Sequence, residues 1–406
     1  MAKEYQYQAR DRMGQVMNGT MTAEDKAAVA AFIRNKGYFI TRITESGGRL
    51  RYQELMDMFG TVDVKDLAVM CRQFSTMVDA GMSMIVCLNV LIEQTDNPKL
   101  KRALQDVYQK VQEGEMLSYA LQRHAQVFPN IMVSMVEAGE VGGVLDDVLN
   151  RLAVHFEKQH KLNQKVKSAI AYPMVVIAIA ILSVSFIFVF VLPTFTKMFV
   201  DLKMQLPLPT RVLMAISEYL RLYGIWLFGA LLAVLYGLAL ASRRYTRVKL
   251  AIDSLLLQLP IFGMLGRKVA IARFSRTLGT LVRGGVPLLS AIDAVKKITD
   301  NTIMIRALDT TQQSIRQGAG MSAPLAASRM FTPMAVQMVA IGEETGELDK
   351  MLEKVAEFYE NDVDDMVGRL SSILEPLLIG GLGIVIGITI LGIMMPIFDI
   401  ITQPPR

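Results

Sequence analysis

The sequence predicts a mainly α fold: two homologous six-helix antiparallel bundles made by internal duplication, three transmembrane helices, and a small α+β N-terminal domain. Three observations lead there. Three long stretches carry no charge, and blocks of sequence recur at an offset of 204 residues. Between these features, apolar residues recur at helical spacing.

A chain of 406 residues exceeds one ordinary core, so several units are expected. With 52% hydrophobic residues and a mean hydropathy of +0.35, membrane spans should accompany soluble parts. The net charge of +5 is modest for this length and leaves no nucleic-acid footprint. The two cysteines, Cys71 and Cys87, show no disulfide or metal framework and read as small core residues in a reducing compartment.

Residues 1–44 are expected to form the α+β domain. "YQYQA" and "QVMNGTM" alternate around a turn, "TAEDKAAVAAFIRNKG" reads as a capped helix, and "YFITRI" as another strand. The start has no apolar core and is no secretory signal, so the N-terminus should stay cytoplasmic. Residues 45–62, with "SGGR", form a linker. Residues 63–168 make the first cytoplasmic bundle, residues 169–192 the first transmembrane helix and 193–221 an external loop. A second transmembrane helix follows at 222–242, a second bundle at 243–372, a third span at 373–398 and an external tail at 399–406.

Each span offers about 20 apolar residues, enough to cross a hydrocarbon core of roughly 30 Å. Lys158, Lys161, Lys165 and Lys167 precede the first span, and Arg243, Arg244, Arg247 and Lys249 follow the second, placing these flanks inside. Apart from Glu375 at the edge of the third, the spans contain no Asp, Glu, Lys, Arg or His, which argues against a proton or ion pathway. Gly383 and Gly387 form a GxxxG step suited to close packing, on another span of the same chain or on a second subunit.

The duplication is direct. "RQFSTMVDAGMSM" (72–84) matches "RTLGTLVRGGVPL" (276–288), and "GEMLSYAL" (114–121) matches "GAGMSAPL" (318–325). With the offset reduced to 203, "FPNIMVSMVEAGEVGGVLDDVLNRLAVHFE" (128–157) meets "FTPMAVQMVAIGEETGELDKMLEKVAEFYE" (331–360). Pro173 and Pro193 around the first span match Pro376 and Pro396 around the third. The second span has no counterpart, because two direct copies on one membrane face need one return helix between them.

Both copies carry GExxGxLD: Gly139, Glu140, Gly143, Leu145 and Asp146, then Gly342, Glu343, Gly346, Leu348 and Asp349. A structural reading suffices, with a glycine ending one helix and acids starting the next. A cation site built from Glu140, Asp146, Glu343 and Asp349, or an acid–base pair, are the chemical alternatives. There is no GxxxxGK[ST] and no GxSxG, and GEVGG follows a helical pattern rather than a strand. His155 and His160 stand five apart, on different helix faces, and read as surface or membrane-proximal residues. Glu353, Glu357, Glu360 and Asp364, with Asp349, form an acidic stripe, while residues 243–283 hold nine Lys/Arg and one Asp. Such opposed patches suit a solvated face or docking between copies, subunits or a cytoplasmic partner.

The doubled GExxGxLD motif, the matched openings and a span after each copy resemble the inner-membrane platform proteins of type IV pilus assembly and type II secretion, the F-protein family. The resemblance extends from "YQYQARDRMGQVMNGTMTAED" over nearly the whole chain, with Ser83 facing Pro287 and Val141 facing Glu344 as mild departures. It implies a non-enzymatic, multi-pass inner-membrane scaffold without a cofactor. Its partners would be a cytoplasmic hexameric assembly ATPase, pilin or pseudopilin subunits and other inner-membrane assembly proteins. It would act as a homo-oligomer, a dimer or larger. A membrane transporter subunit is the alternative from another class.

Overall fold

Helices dominate the computed structural model, which describes residues 3–10, 16–23, 26–35, 38–45, 61–194, 208–260 and 262–402. At the N-terminus, strand β1 (Lys3–Arg10) pairs antiparallel with both β2 (Val16–Ala23) and β3 (Phe39–Glu45). Helix α1 (Lys26–Asn35) buries Val29 and Ile33 against Ala9 and Ala23. The turn expected at "DRMG" and residues 46–60 of the linker expected at 45–62 lie outside the described residues, while Glu45 ends β3.

The first copy runs through α2 (Val64–Asp79), α3 (Met84–Gln94), α4 (Pro98–Gln112), α5 (Leu117–Gln122), α6 (Asn130–Gly142) and α7 (Leu145–Phe186). After α8 (Leu208–Arg244) and α9 (Thr246–Gln258), the second copy repeats the order. Its helices are α10 (Phe262–Arg283), α11 (Leu288–Ile298), α12 (Thr302–Arg316), α13 (Ser322–Ala327), α14 (Pro333–Thr345) and α15 (Leu348–Thr402). The repetition reaches side-chain level. Asn97 caps α4 by accepting from the N–H groups of Lys99 and Leu100; its counterpart Asn301 caps α12 through Ile303 and Met304. The two copies share one continuous apolar core, which holds Phe74, Phe128 and Phe156 of the first and Phe274, Leu278 and Leu352 of the second.

The membrane segments differ from expectation in continuity. The first and third spans are not separate elements: α7 and α15 run without interruption from the bundle core into the apolar stretches, over 42 and 55 residues. No helix-stopping glycine or loop separates Lys167 from the span, and Pro173 lies inside α7. Two helices are long and apolar enough to cross a membrane, and two bent pairs qualify if each counts as one span. One bent pair is α8, which turns by 61° between Thr210–Gly224 and Trp226–Ser242. The stretch assigned to an external loop therefore includes helix from Leu208 onward. That part of α8 buries Leu213 against Phe188 and Leu192, and Thr210 donates to the Gly392 carbonyl at 2.6 Å. A π-helical turn at Ile187–Val191 ends α7, and Ser217 of α8 caps the Phe188 carbonyl in it.

Candidate functional site

Each residue of GExxGxLD has a separate job. Gly143 and Gly346 close α6 and α14 in the left-handed region, at φ 67° and 74°, where a side chain is strained. Gly139 and Gly342 are buried within those helices and let the next helix pass close by. A Cβ on Gly139 would stand 3.3 Å from the Leu145 Cα, and one on Gly342 only 2.9 Å from the Leu348 Cα. Leu145 and Leu348 thus begin their helices pressed onto glycine. Asp146 stands exposed in the first turn of α7, near the positive end of its dipole, and Asp349 takes that place in α15.

The glutamates act at a distance. The Glu140 carboxylate accepts from the backbone N–H groups of Leu117 and Ser118, at 2.6 and 2.9 Å. Those groups start α5, whose N-cap residue Met116 supplies no side-chain cap. Glu343 does the same for α13, through Met321 and Ser322. Each glutamate fixes a six-residue helix too short to hold itself. This arrangement supports the structural reading of the turn. The carboxylate oxygens of Glu140 and Glu343 face N–H donors, and among the described residues no group of three or more His, Cys, Asp or Glu converges. Glu140→Ala is expected to cost about 1.5 kcal/mol, the worth of a charged helix cap. Amide exchange at Leu117 and Ser118 should accelerate before that of the surrounding core.

A second repeated device was missed by sequence reasoning. Arg72 on α2 grips Glu157 on α7 through two hydrogen bonds of 2.7 and 2.9 Å, and also reaches Asn150 at 2.9 Å. Arg276 on α10 grips Glu360 on α15 the same way, with both bonds 2.8 Å. The signal was available, because these residues open and close the aligned blocks as identical charges on otherwise apolar faces.

The acidic stripe is largely engaged inside the chain. Glu353 pairs with Arg283 at 2.6 Å, Glu360 with Arg276, and Asp364 with Lys165 of the first copy. Glu357 alone of the four bonds along its own helix, to Lys354 at 3.0 Å; this bond and the nearby cations hold its carboxyl below the ordinary range. The patches seen in the sequence thus meet within the second copy and across the seam between copies.

His155 lies in that seam rather than at the surface. It is 2% exposed, packs edge-on against Phe156 and has Nδ1 3.4 Å from the Thr280 hydroxyl. The second copy covers a face that α7 alone would leave open. Burial, reinforced by the Arg276 cation, pushes its pKa down from 6.5 to about 4. An unfolded histidine binds a proton near pH 6.5, whereas the folded one does so only near pH 4. Stability from neutral His155 is therefore complete above pH 6.5 and erodes as pH falls, by about 3 kcal/mol once both forms are protonated. Thermal midpoints at pH 7.5 and 5 should diverge less in His155→Phe than in the unmodified protein. Beside His155, a cleft of about 240 Å³ opens between the copies, its arginines Arg151, Arg276 and Arg283 each matched to a carboxylate. Cys71 and Cys87 are free and buried, and burial pushes the Cys71 thiol up to about 12.

Gly383 and Gly387 of α15 have open space where a Cβ would stand, so that face is uncovered within the described chain.

Known proteins resemble this chain over nearly its whole length. The profile of "Type II secretion system (T2SS), protein F" matches residues 70–193 and 274–396, one match per copy. The profile of that protein's N-terminal domain matches residues 1–44. A type IV pilus assembly protein PilC of Thermus thermophilus is 40% identical over 98% of both chains. A PilC of Myxococcus xanthus is 38% identical over 98% of this chain and 95% of its own. A type II secretion system protein F of Xanthomonas campestris is 31% identical over 98% of both chains. With the GExxG turn, its distant helix cap and the Arg–Glu clamp present twice along one chain, this protein belongs to the type II secretion protein F family.

Proposed function

We propose that the chain is a non-enzymatic inner-membrane platform for type IV pilus assembly, carrying force between a cytoplasmic assembly ATPase and pilin subunits in the membrane. The observation that carries this reading is the continuity of α7 and α15. Each is a single rod, about 60 and 80 Å long at 1.5 Å per residue, rooted in the bundle core and ending in an apolar segment. The Arg72–Glu157 and Arg276–Glu360 clamps tie each rod to the first helix of its bundle. A displacement imposed on a bundle is therefore passed to the membrane segment along one unbroken helix, with Pro173 and Pro376 the places where each helix can bend.

In this reading the N-terminus and both six-helix bundles face the cytoplasm, and three spans cross the inner membrane, α8 contributing the return. The segment 193–221 and the tail after residue 398 face outward. Other inner-membrane assembly proteins pack beside the spans, and Gly383 and Gly387 face a neighbouring helix. The pilus reading is preferred over type II secretion because the relatives named for pilus assembly reach 40% identity, against 31% for those named for secretion.

Deleting the gene should abolish pili while purified ATPase still hydrolyses ATP. Loss of secreted enzymes with pili intact would instead select the secretion reading. Retention of both would discard the platform, and transport by the purified protein alone would select the transporter.

A further inference from the structure

The two copies meet through unlike faces. Besides α15 of the second copy, which lies along α7 through Lys158–Glu360 and Lys165–Asp364, the first offers the outer side of α7 and part of α6, and the second offers α10 and the start of α11. Arg151 of α7 donates to the Arg283 carbonyl at 3.2 Å, His155 meets Thr280, and Arg273 donates to Asn163 at 2.6 Å. A head-to-tail contact leaves one copy of each face without a partner. Burial of equivalent residues shows where. His155 is 2% exposed, but its counterpart Phe358 is 52% exposed. Val286 is 6% exposed, but its counterpart Met82 is 37% exposed.

Shifting the three contacts of α10 with α7 by one repeat gives the pairs that two free faces would form. Arg151 over Arg283 becomes Lys354 over Asp79, both exposed and opposite in charge. His155 over Thr280 becomes Phe358 over Thr76. The polar pair Arg273–Asn163 becomes the apolar pair Val69–Met366, with Val69 48% exposed. Only Thr76 keeps the identity of its counterpart Thr280, yet these three pairs stay complementary; the seam ion pairs Lys158–Glu360 and Lys165–Asp364 become Asn361 over Glu157 and Gly368 over Lys161, without a charge match and without repulsion. Phe358 even keeps the edge-on ring contact of His155, with Tyr359 in place of Phe156.

We propose that the α15 face around Lys354 and Phe358 docks the α2 face around Val69, Thr76 and Asp79 of a second copy of this chain, repeating between molecules the seam within one. This names a partner for the platform proposed above. Because the two copies send their spans into the membrane in the same sense, the repeated contact keeps all subunits upright in one membrane.

Site-specific cross-linking in native membranes tests the proposal. Full-length chains bearing Thr76→Cys or Phe358→Cys, with different tags, are treated with a short bis-maleimide at neutral pH. Native Cys71 and Cys87 are buried and stay silent. A mixed-tag product is expected when the two variants are co-expressed, and its loss when either is expressed alone. Lys354→Glu in the Phe358→Cys chain should abolish the product, and Asp79→Lys in the Thr76→Cys chain should restore it. A chain carrying both His155→Cys and Thr280→Cys, cross-linked internally, reports that the seam itself is intact. Products between two Phe358→Cys chains, or no mixed product while that internal control reacts, would overturn the proposal. Either result leaves the platform reading standing, since that falls only on the deletion phenotype.

Discussion

Replacing Arg276 by alanine is expected to destabilise the folded protein by about 3 kcal/mol, whereas Arg72→Ala should cost less than about 1 kcal/mol. The two arginines make the same bidentate grip at equivalent places. Their surroundings differ: the Arg276 and Glu360 side chains are 10% and 15% exposed, those of Arg72 and Glu157 41% and 38%. Removing Arg276 strands the Glu360 carboxylate under the first copy, where Lys158, 4.0 Å away, is its remaining cation. Removing Arg72 leaves Glu157 to water. Thermal unfolding of the full-length protein in detergent measures both. Glu360→Ala added to Arg276→Ala should recover part of the loss, because it removes the stranded charge, and Arg276→Lys should recover less than half. Equal losses for Arg72→Ala and Arg276→Ala would mean that the second clamp is not buried and that the seam is looser than drawn.

That contrast marks where the sequence is legible and where it is not. The duplication, the apolar segments and the helical bundles could be read because each is a local or periodic signal. Continuity of α7 could not, because Lys158–Lys167 reads as a boundary although charge does not end a helix; only a cap or breaker does. Glu140 was placed in the correct turn, but its partners lie 22 and 23 residues away across a helix–helix contact. The stripe on α15 was visible as a stripe, while the cations of Glu353, Glu360 and Asp364 come from α10 and α7, up to 199 residues away. His155 is the clearest case. Phe358 occupies the same register in the second copy and is exposed, so no pattern within one copy could reveal that His155 is covered. Burial there is a property of the assembly of copies, which the residue's own helix does not encode.

Gly342→Val is the substitution expected to do most damage in the signature turn, at about 3 kcal/mol or more. Its Cβ would sit 2.9 Å from the Leu348 Cα and 3.2 Å from the Cβ of Met351, so α14 and α15 must part. Parting them also draws Glu343 off the N–H groups of Met321 and Ser322, so the cap on α13 fails with the crossing. Gly346→Ala isolates the other contribution of this turn. Nothing lies within 4 Å of its Cβ position, and its φ of 74° costs a non-glycine residue about 1 kcal/mol. Gly139→Ala should fall between them, because the nearest obstacle is the Val148 side chain at 3.0 Å, which can rotate, rather than backbone. Alanine's better helix propensity offsets part of that cost within α6. Protein level in membranes and thermal midpoint should therefore rank Gly346→Ala, Gly139→Ala and Gly342→Val from mildest to most severe. If Gly346→Ala proved the most severe, left-handed backbone rather than helix proximity would be what the signature preserves. The paired glycines would then set the angle of the rods, not their closeness.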